Sequence, residues 1–381
     1  MSGTQTIEHL YQVRVYNSGG TLDAIYDNCV SVMYTKYVNK PGLAVLTVQA
    51  DHDLLNYQDQ NRYFEIWISY PTRTTAILGF NQTWQLDFAG LYRDTQFVTD
   101  QDGVIYAQIY IPSLMSLLDR YVIAYAADTN NKTVWTGQRL AVIANDVVAA
   151  NVTEDALVIN SRLRDATQIR GLTDDGAIAG TTVVNYSVAP GRSVLEFMQE
   201  LAPVLGFDFD VWYSKLADPN TFHVKQYAGQ LGSDLSASII FDLALDNASK
   251  ANYTSDKLRE RTVAIVGGPG DGSSRVFAVR YGANYTTDNE YEFYVDARSN
   301  DTTELDDIGD AALAKYQARA QVQGQIRDSY GWQYGRDYNL GDLVSISFAG
   351  IIAVKKISRV EVVFDQTQKN QISLDFDDIT A

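Results

Sequence analysis

The chain has 381 residues, 46% of them apolar, and a formal net charge of −17. That length suits two to four packed domains, and the charge argues against a protein that grips a phosphate backbone from outside through clustered Lys and Arg, although solubility alone would also account for it. The lone cysteine, Cys29, excludes an intramolecular disulfide framework and a cysteine-based zinc site, and no apolar run approaches the ~20 residues of a membrane helix.

The N-terminus lacks a basic stretch followed by an apolar one, so no signal peptide is expected and the protein is expected to be soluble and made in the cytosol. The first 146 residues read as strands. Tyr11 to Val15 alternates apolar and polar side chains, and Asn17 to Gly20 supplies a turn. Val30 to Val38 predicts a second strand, closed by Asn39-Lys-Pro-Gly42, and Leu43 to Val48 a third. Tyr63 to Ile68 and Trp84 to Phe88 continue the pattern, and an Asp100 to Gly103 turn leads into Val104 to Ile111. Strands at this spacing predict a barrel or a sandwich. A helical turn with Leu114, Leu117 and Leu118 follows Pro112, and Tyr121 to Tyr125 and Val134 to Ile143 read as strands again.

The character changes near Asn145. Residues 152–165 suit a helix with Thr153 as its cap, and Gly171 to Thr182 is small and polar, as an exposed loop is. Ser193-x-x-Glu196 is a capping box that opens a helix to Leu205. Val194, Met198, Leu201 and Leu205 form its stripe, Gly206 is free to take the left-handed C-terminal position, and Pro203 is positioned to shorten it. Phe207 to Trp212 alternates like a strand. Glu304 to Val322 predicts a further helix with Leu305, Ile308, Ala312, Tyr316 and Ala320 on one face. The chain closes in strands at Leu343 to Phe348, Ile351 to Val354, Ile357 to Phe364 and Ile372 to Phe376.

No residue pattern in the sequence points to chemistry. Cys29, with Val30 and Val32 beside it, reads as a small buried residue and not a reactive thiol. His9, His52 and His223 lie too far apart for helical His-x-x-x-His ligation. The loop Val266 to Gly272 is glycine-rich but lacks the Gly-Lys-Ser/Thr ending of a P-loop, and Pro269 removes an amide that a phosphate cradle needs. Between 288 and 310 stand Asp288, Glu290, Glu292, Asp296, Asp301, Glu304, Asp306, Asp307 and Asp310 against Arg298. Clustered oxygens suit calcium, but the spacing matches no EF-hand, and a solvated acidic face is the simpler reading, with Asp306 and Asp307 near a helix start. There is no Gly-x-Ser-x-Gly elbow. Sequons such as those at Asn81 and Asn131 mean little without a secretion signal, and Arg and Lys do not cluster with aromatic rings into a nucleic-acid groove. No catalytic, cofactor-binding or metal-ligating residue is assigned, no cofactor is expected, and the chain is not expected to be an enzyme.

Val263 to Arg275, a strand running into a glycine loop and an arginine, resembles a passage of siphophage tail hub-like proteins. Tyr291-Glu-Phe-Tyr-Val-Asp-Ala-Arg298 is similar to that family's Glu-x-x-x-Asp-Ala-Arg passage before an alanine-rich helix, which here contains Ala311-Ala-Leu-Ala314. Tyr334 to Val344 resembles its turn ending in Leu-Gly-Asp-x-Val, and Ile357 to Val363 its returning strand. Asp87 to Leu91, Asp102-Gly103 and Leu117 to Arg120 extend the resemblance into the N-terminal part. In physical terms Gly341-Asp342 is a turn before a strand, with Gly341 free for positive φ. Val344, Ile346 and Phe348 share a face, and Arg298 and Arg336 are expected to pair with Asp296 or Asp337.

The resemblance implies a homotrimeric tail-tip or baseplate hub of the virion, assembled in the host cytoplasm. Each subunit would supply two tail-tube-like antiparallel β-barrels, giving a pseudo-sixfold ring that joins a hexameric tail tube to a threefold tip. The implied partners are the distal tail or tail tube protein, the tape-measure protein and tail-tip fibre or spike proteins. DNA would pass through the lumen without specific binding. The expected fold is mainly β with α+β insertions. A first tube-like β-barrel domain spans 1–146 and a mixed αβ domain 147–235. A second β-barrel domain combines 236–266 and 335–381, around an αβ insertion at 267–334. A negative wall repels phosphates, so the lumen is expected to be negative or neutral. Two readings compete: a carbohydrate- or receptor-binding β module of a phage tail, with 25 Tyr and 5 Trp to line a sugar platform, and a tail-associated hydrolase.

Overall fold

The computed structural model describes residues 10–17, 19–58, 62–71, 82–124, 133–153, 171–178, 183–188, 190–214, 218–245, 247–298, 300–326, 332–348, 351–365 and 371–377. The chain opens with eight strands: β1 (Tyr11–Tyr16), β2 (Leu22–Tyr26), β3 (Ser31–Tyr37), β4 (Lys40–Gln49), β5 (Tyr63–Pro71), β6 (Gln82–Leu91), β7 (Asp94–Thr99) and β8 (Ile105–Pro112). Alternation drives them: in β4, Ala44, Leu46 and Val48 are buried between more exposed neighbours, and in β8 Ala107, Ile109 and Ile111 are. The turn between β3 and β4 is tighter than its sequence suggests. Tyr37 pairs with Lys40, and Asn39 takes the left-handed conformation (φ 59°) that a two-residue hairpin turn requires. β7 has no buried residue, so it carries no alternation to read.

A single helical turn, α1 (Ser116–Asp119), follows, with Leu114, Leu117 and Leu118 buried as expected. Of the strand expected at 121–125, the described part holds one bridge, Val122 to Ser193. The next expected strand is cut short: β9 (Thr133–Arg139) stops where α2 (Leu140–Asn151) begins. Leu140, Ala141, Ile143, Ala144, Val147 and Val148 are all buried, so α2 is apolar over much of its circumference and reads as a strand in sequence. Thr153, expected to cap a following helix, instead donates its Oγ1 to the Ala149 carbonyl at the end of α2; residues 154–165 lie outside the described residues.

β10 (Gly171–Asp174) occupies part of the expected loop at 171–182, running parallel to a later strand; β11 (Val183–Val188) comes next. α3 (Val194–Leu205) matches its signals. Ser193 Oγ accepts from the Glu196 amide at 3.1 Å, Gly206 is left-handed (φ 59°), and the helix runs through Pro203 without shortening. β12 (Phe207–Ser214), β13 (Asp218–Ala228), β14 (Ile240–Asp242) and β15 (Ala248–Asp256) follow.

β16 (Val263–Gly267), β17 (Phe277–Tyr281) and β18 (Glu292–Asp296) form a small sheet backed by α4 (Leu305–Lys315). Here the expected 304–322 helix is corrected. It ends at Lys315, and Arg319 to Ile326 is a strand, β19, because pairing with β15 and β22 outweighs the helix propensity of an Ala/Gln/Arg-rich stretch. β20 (Leu343–Phe348), β21 (Ile351–Asp365) and β22 (Gln371–Asp377) close the chain, and the two expected strands at 351–354 and 357–364 are one.

The fold is mainly β with several sheets. The largest runs β15-β19-β22-β21-β3-β4-β8-β7, four C-terminal strands followed by four N-terminal ones. Its centre is β21. Ile351 to Lys356 pairs with β20, and Arg359 to Asp365 pairs with β3 along the same edge. A second sheet, β2-β1-β5-β6, stacks on this one. The shared core contains Val13, Phe64 and Phe88 from the second sheet and Tyr34, Leu46, Ile109, Val362 and Leu374 from the first. Burying each large apolar side chain contributes about 1.5–3 kcal/mol. A separate core joins α2, α3, β12 and β13.

Candidate functional site

The register of the long sheet fixes what its uncovered face presents. Tyr34 pairs with Val362, and both are buried, so their alternates point away from the core. That face carries Ser31, Met33, Thr35 and Tyr37 on β3, facing Asp365, Val363, Glu361 and Arg359 on β21. Ser373 and Asp375 of β22 extend it on one side. Val45, Thr47, Tyr106, Gln108, Tyr110, Asp94 and Gln96 extend it on the other. The Tyr110 hydroxyl lies 3.0 Å from Gln108 Oε1 and 3.4 Å from Gln96 Oε1. Arg359 pairs with Glu361 and reaches Asp375 at 3.5 Å. Among the described side chains, the charged groups in these register positions are thus Asp94, Glu361, Asp365 and Asp375 against Arg359 and Lys40, which pairs with Tyr37: a polar face of acidic balance.

On the core side, residues of β3, β6 and β12 line one cleft. Asp87 ties β6 to β3 and to the loop at 332–340. Its carboxylate accepts from Lys36 Nζ at 2.6 Å, from the Tyr34 hydroxyl, and from the Tyr334 hydroxyl at 2.9 Å. Asp208 of β12 is likewise saturated. It pairs with Lys356 at 2.5 Å and accepts from Asn39 Nδ2 and the Leu231 amide. Two residues on, Asp210 accepts, among the described residues, only from the adjacent Val211 amide. Burial lifts its carboxyl to about 6, against the lowering effects of the Val211 amide and of Lys36. Asp210, Asp87 and Lys36 line a cleft of about 340 Å³.

The residues flagged in the sequence are engaged in local contacts. Arg298 grips Asp296 at 2.9 Å and Arg336 grips Asp337 at 2.5 Å, as expected. Arg275 donates to the Gly267 and Gly268 carbonyls and to Asp296, pinning the glycine loop. Gly267 leaves room for Tyr294: a Cβ there would meet the Tyr294 hydroxyl at 1.9 Å. Gly341 is left-handed (φ 89°), and Asp342 accepts from the Ser233 and Asn339 amides. Val344 and Ile346 are buried. Thus Asp87 and Tyr334, from the two ends of the family-like pattern, bond each other directly. Most of the 288–310 acids are exposed, with Asp306 and Asp307 in the first turn of α4. The exception is Glu304, buried and accepting from Ser187 Oγ and Asn300 Nδ2.

Cys29 is buried and its thiol is pushed up to about 12 by that burial. His52 bonds Asn28 and His223 pairs with Asp175 at 2.6 Å; His9, Asn81 and Asn131 lie outside the described residues. Among the described residues no group of three or more His, Cys, Asp or Glu side chains is placed to hold a metal, and no helix is long and apolar enough to cross a membrane. The junction itself was not visible in the sequence. Its signal was the Phe-Asp-Phe-Asp-Val-Trp alternation of β12, which places two acids on the face opposite the apolar core.

The sequence matches a family model described as Siphovirus ReqiPepy6 Gp37-like protein over residues 12–376. No curated protein matches it. Among solved structures it is similar to the tail protein from Neisseria meningitidis MC58, at 12% identity and a TM-score of 0.56 over 98% of each chain. It is also similar to the 43 kDa tail protein of prophage MuSo2 from Shewanella oneidensis, at 12% identity and a TM-score of 0.54 over 96% of this chain and 98% of that one. A third is the prophage tail protein gp18 from Listeria monocytogenes EGD-e, at 10% identity and a TM-score of 0.51 over 96% and 94%. At these identities the likeness is one of fold.

Proposed function

The chain belongs to the Siphovirus ReqiPepy6 Gp37-like protein family, and from that premise we propose that it is a non-enzymatic structural subunit of the phage tail, a tail-tip hub forming a trimeric ring. The observation that carries this reading is the long open sheet. It ends in two edges, β7 and β15, and an unpaired edge invites pairing with another chain. On β7, Phe97 and Val98 are exposed. Pairing β7 of one copy with β15 of the next is a head-to-tail contact, which closes into a ring when the rotation allows. Each copy brings two four-strand halves, so three copies give six comparable units, suited to docking on a sixfold tube. We assign the first half to a module at 1–146 and the second to a module built around the insertion, with the αβ domain at 147–235 between them.

The polar, acidic face then lines the lumen, where it repels phosphates and lets DNA and a tape-measure protein slide. Tube, tape-measure and fibre or spike proteins are the partners of this reading, and the virion tail its location. Light scattering with negative-stain images of the purified protein tests it. A particle near three times 42.4 kDa with a central hole is expected, and Phe97→Lys with Val98→Lys should return it to monomer. A monomer that also fails to form threefold rings in isolated tails, or a ring with a basic channel, overturns it.

A second reading rests on the outer face of the small sheet, where Phe277, Tyr281 and Tyr294 are exposed. Exposed rings on a flat sheet suit a carbohydrate contact. Binding on a glycan array, lost in Tyr281→Ala, would favour it.

A further inference from the structure

The cleft between the strand modules and the αβ domain contains an imbalance. Two carboxylates, Asp87 and Asp210, and two lysines, Lys36 and Lys40, line it, and among the described residues Asp210 has no ion-pair partner. Asp87 holds Lys36 at 2.6 Å and accepts from two tyrosine hydroxyls, so that ion pair is complete. Asp210, across the cleft on β12, accepts only its neighbour's amide at 2.8 Å. Its other oxygen has no hydrogen-bond partner among the described residues. The remaining charged groups around it are committed or screened. Asp208 is paired with Lys356. Lys225, opposite Asp210 on β13, sits over the Trp212 and Tyr227 rings at 5.3 and 4.9 Å. Tyr227 is neutral, its hydroxyl raised by burial. Lys40 is exposed, where water screens it. Asp210 is half-buried; a carboxylate partly withdrawn from water without a cation in contact is destabilised, and a cation entering the site offsets part of that cost.

The space is suited to such a visitor. The cleft holds about 340 Å³, and Phe88, Met115, Trp212 and Leu340 give it apolar and aromatic walls. A guanidinium on an aliphatic stem combines a flat, weakly hydrated cation with a stem that packs on such walls. We propose that this cleft is a receptor for the side chain of an arginine presented by another polypeptide, with Asp210 as its counter-ion. The proposal stands apart from the ring, since it requires only the cleft within one chain. The site is strongest while Asp210 is ionised, above pH about 6, and fades as the carboxyl takes up a proton.

The test uses the full chain and capped arginine (N-acetyl-arginine N-methylamide), titrated by ligand-observed NMR at pH 7. Capped citrulline, of nearly the same shape without the charge, and free spermidine serve as comparisons. Saturable binding of capped arginine is expected, with citrulline at least tenfold weaker. Asp210→Asn should weaken arginine binding by at least tenfold. In the wild-type protein, lowering the pH from 7 to 5 should weaken it about tenfold, as the ionised fraction of a carboxyl near 6 falls. The pH series decides the matter even where the variant fails to fold. The proposal is overturned if arginine does not bind saturably, if citrulline binds equally, or if a folded Asp210→Asn keeps its affinity. It is also overturned if affinity holds between pH 7 and 5, or if spermidine binds and capped arginine does not.

Discussion

The two walls of the cleft are built on opposite terms. The wall formed by β3, β6 and the loop at 332–340 is a closed network: Asp87 meets an ammonium and a hydroxyl from β3 and a second hydroxyl from the loop at 332–340. The wall formed by β12 is closed at Asp208 and open at Asp210. The same residue type, in the same junction, is a fastening in one place and an unmatched charge two residues along the neighbouring strand. Burial alone therefore does not define a role; the count of partners does.

The largest effect should come from Asp87→Ala. It strips Lys36 of its counter-ion and removes the acceptor that ties β6 to Tyr334, and removing one member of a buried charged network costs about 3–5 kcal/mol. Urea denaturation measures it, and a loss under about 1 kcal/mol would erase the contrast between the walls. Next is Lys356→Met, which leaves Asp208, only 3% exposed, with hydrogen bonds but no cation. About 3 kcal/mol of destabilisation is expected in the same assay.

Asp210→Asn should go the other way. The folded carboxyl sits near 6 against 3.8 for its ordinary value. The unfolded chain thus releases its proton first as pH rises, and the group's contribution falls between pH about 4 and 6. At pH 7.5 the amide variant should be more stable by about 1–2 kcal/mol, and the advantage should vanish at pH 3.5. A variant less stable than wild type at pH 7.5 would place Asp210 with the fastenings. The smallest effect belongs to Tyr334→Phe, which deletes one of the hydrogen bonds to Asp87 and should cost about 1 kcal/mol.

How much of this was legible in the sequence depended on how local the cause was. The alternation of β1, β3, β4, β8 and β12, the cap at Ser193, the left-handed Gly206 and Gly341 and the Arg298–Asp296 and Arg336–Asp337 pairs are all set within a few residues, and all were readable. β7 was not, because an edge strand with no buried side chain carries no period. α2 and β19 misled in opposite directions. The first is a helix too apolar to show a stripe, and the second is a strand whose Ala and Gln favour helix until β15 and β22 flank it. The junction was out of reach for a different reason. Asp87 and Tyr334 stand 247 residues apart, and nothing in either segment names the other.

β21 has one further consequence. It carries β20 and β3 along one edge, so the N-terminal half of the long sheet is held on one C-terminal strand. Sliding β3 along that edge by one residue would turn Val32 and Tyr34 out of the core, so the smallest permitted step is two residues, about 7 Å. A joint with such coarse steps either keeps its register or comes apart; it has no intermediate position.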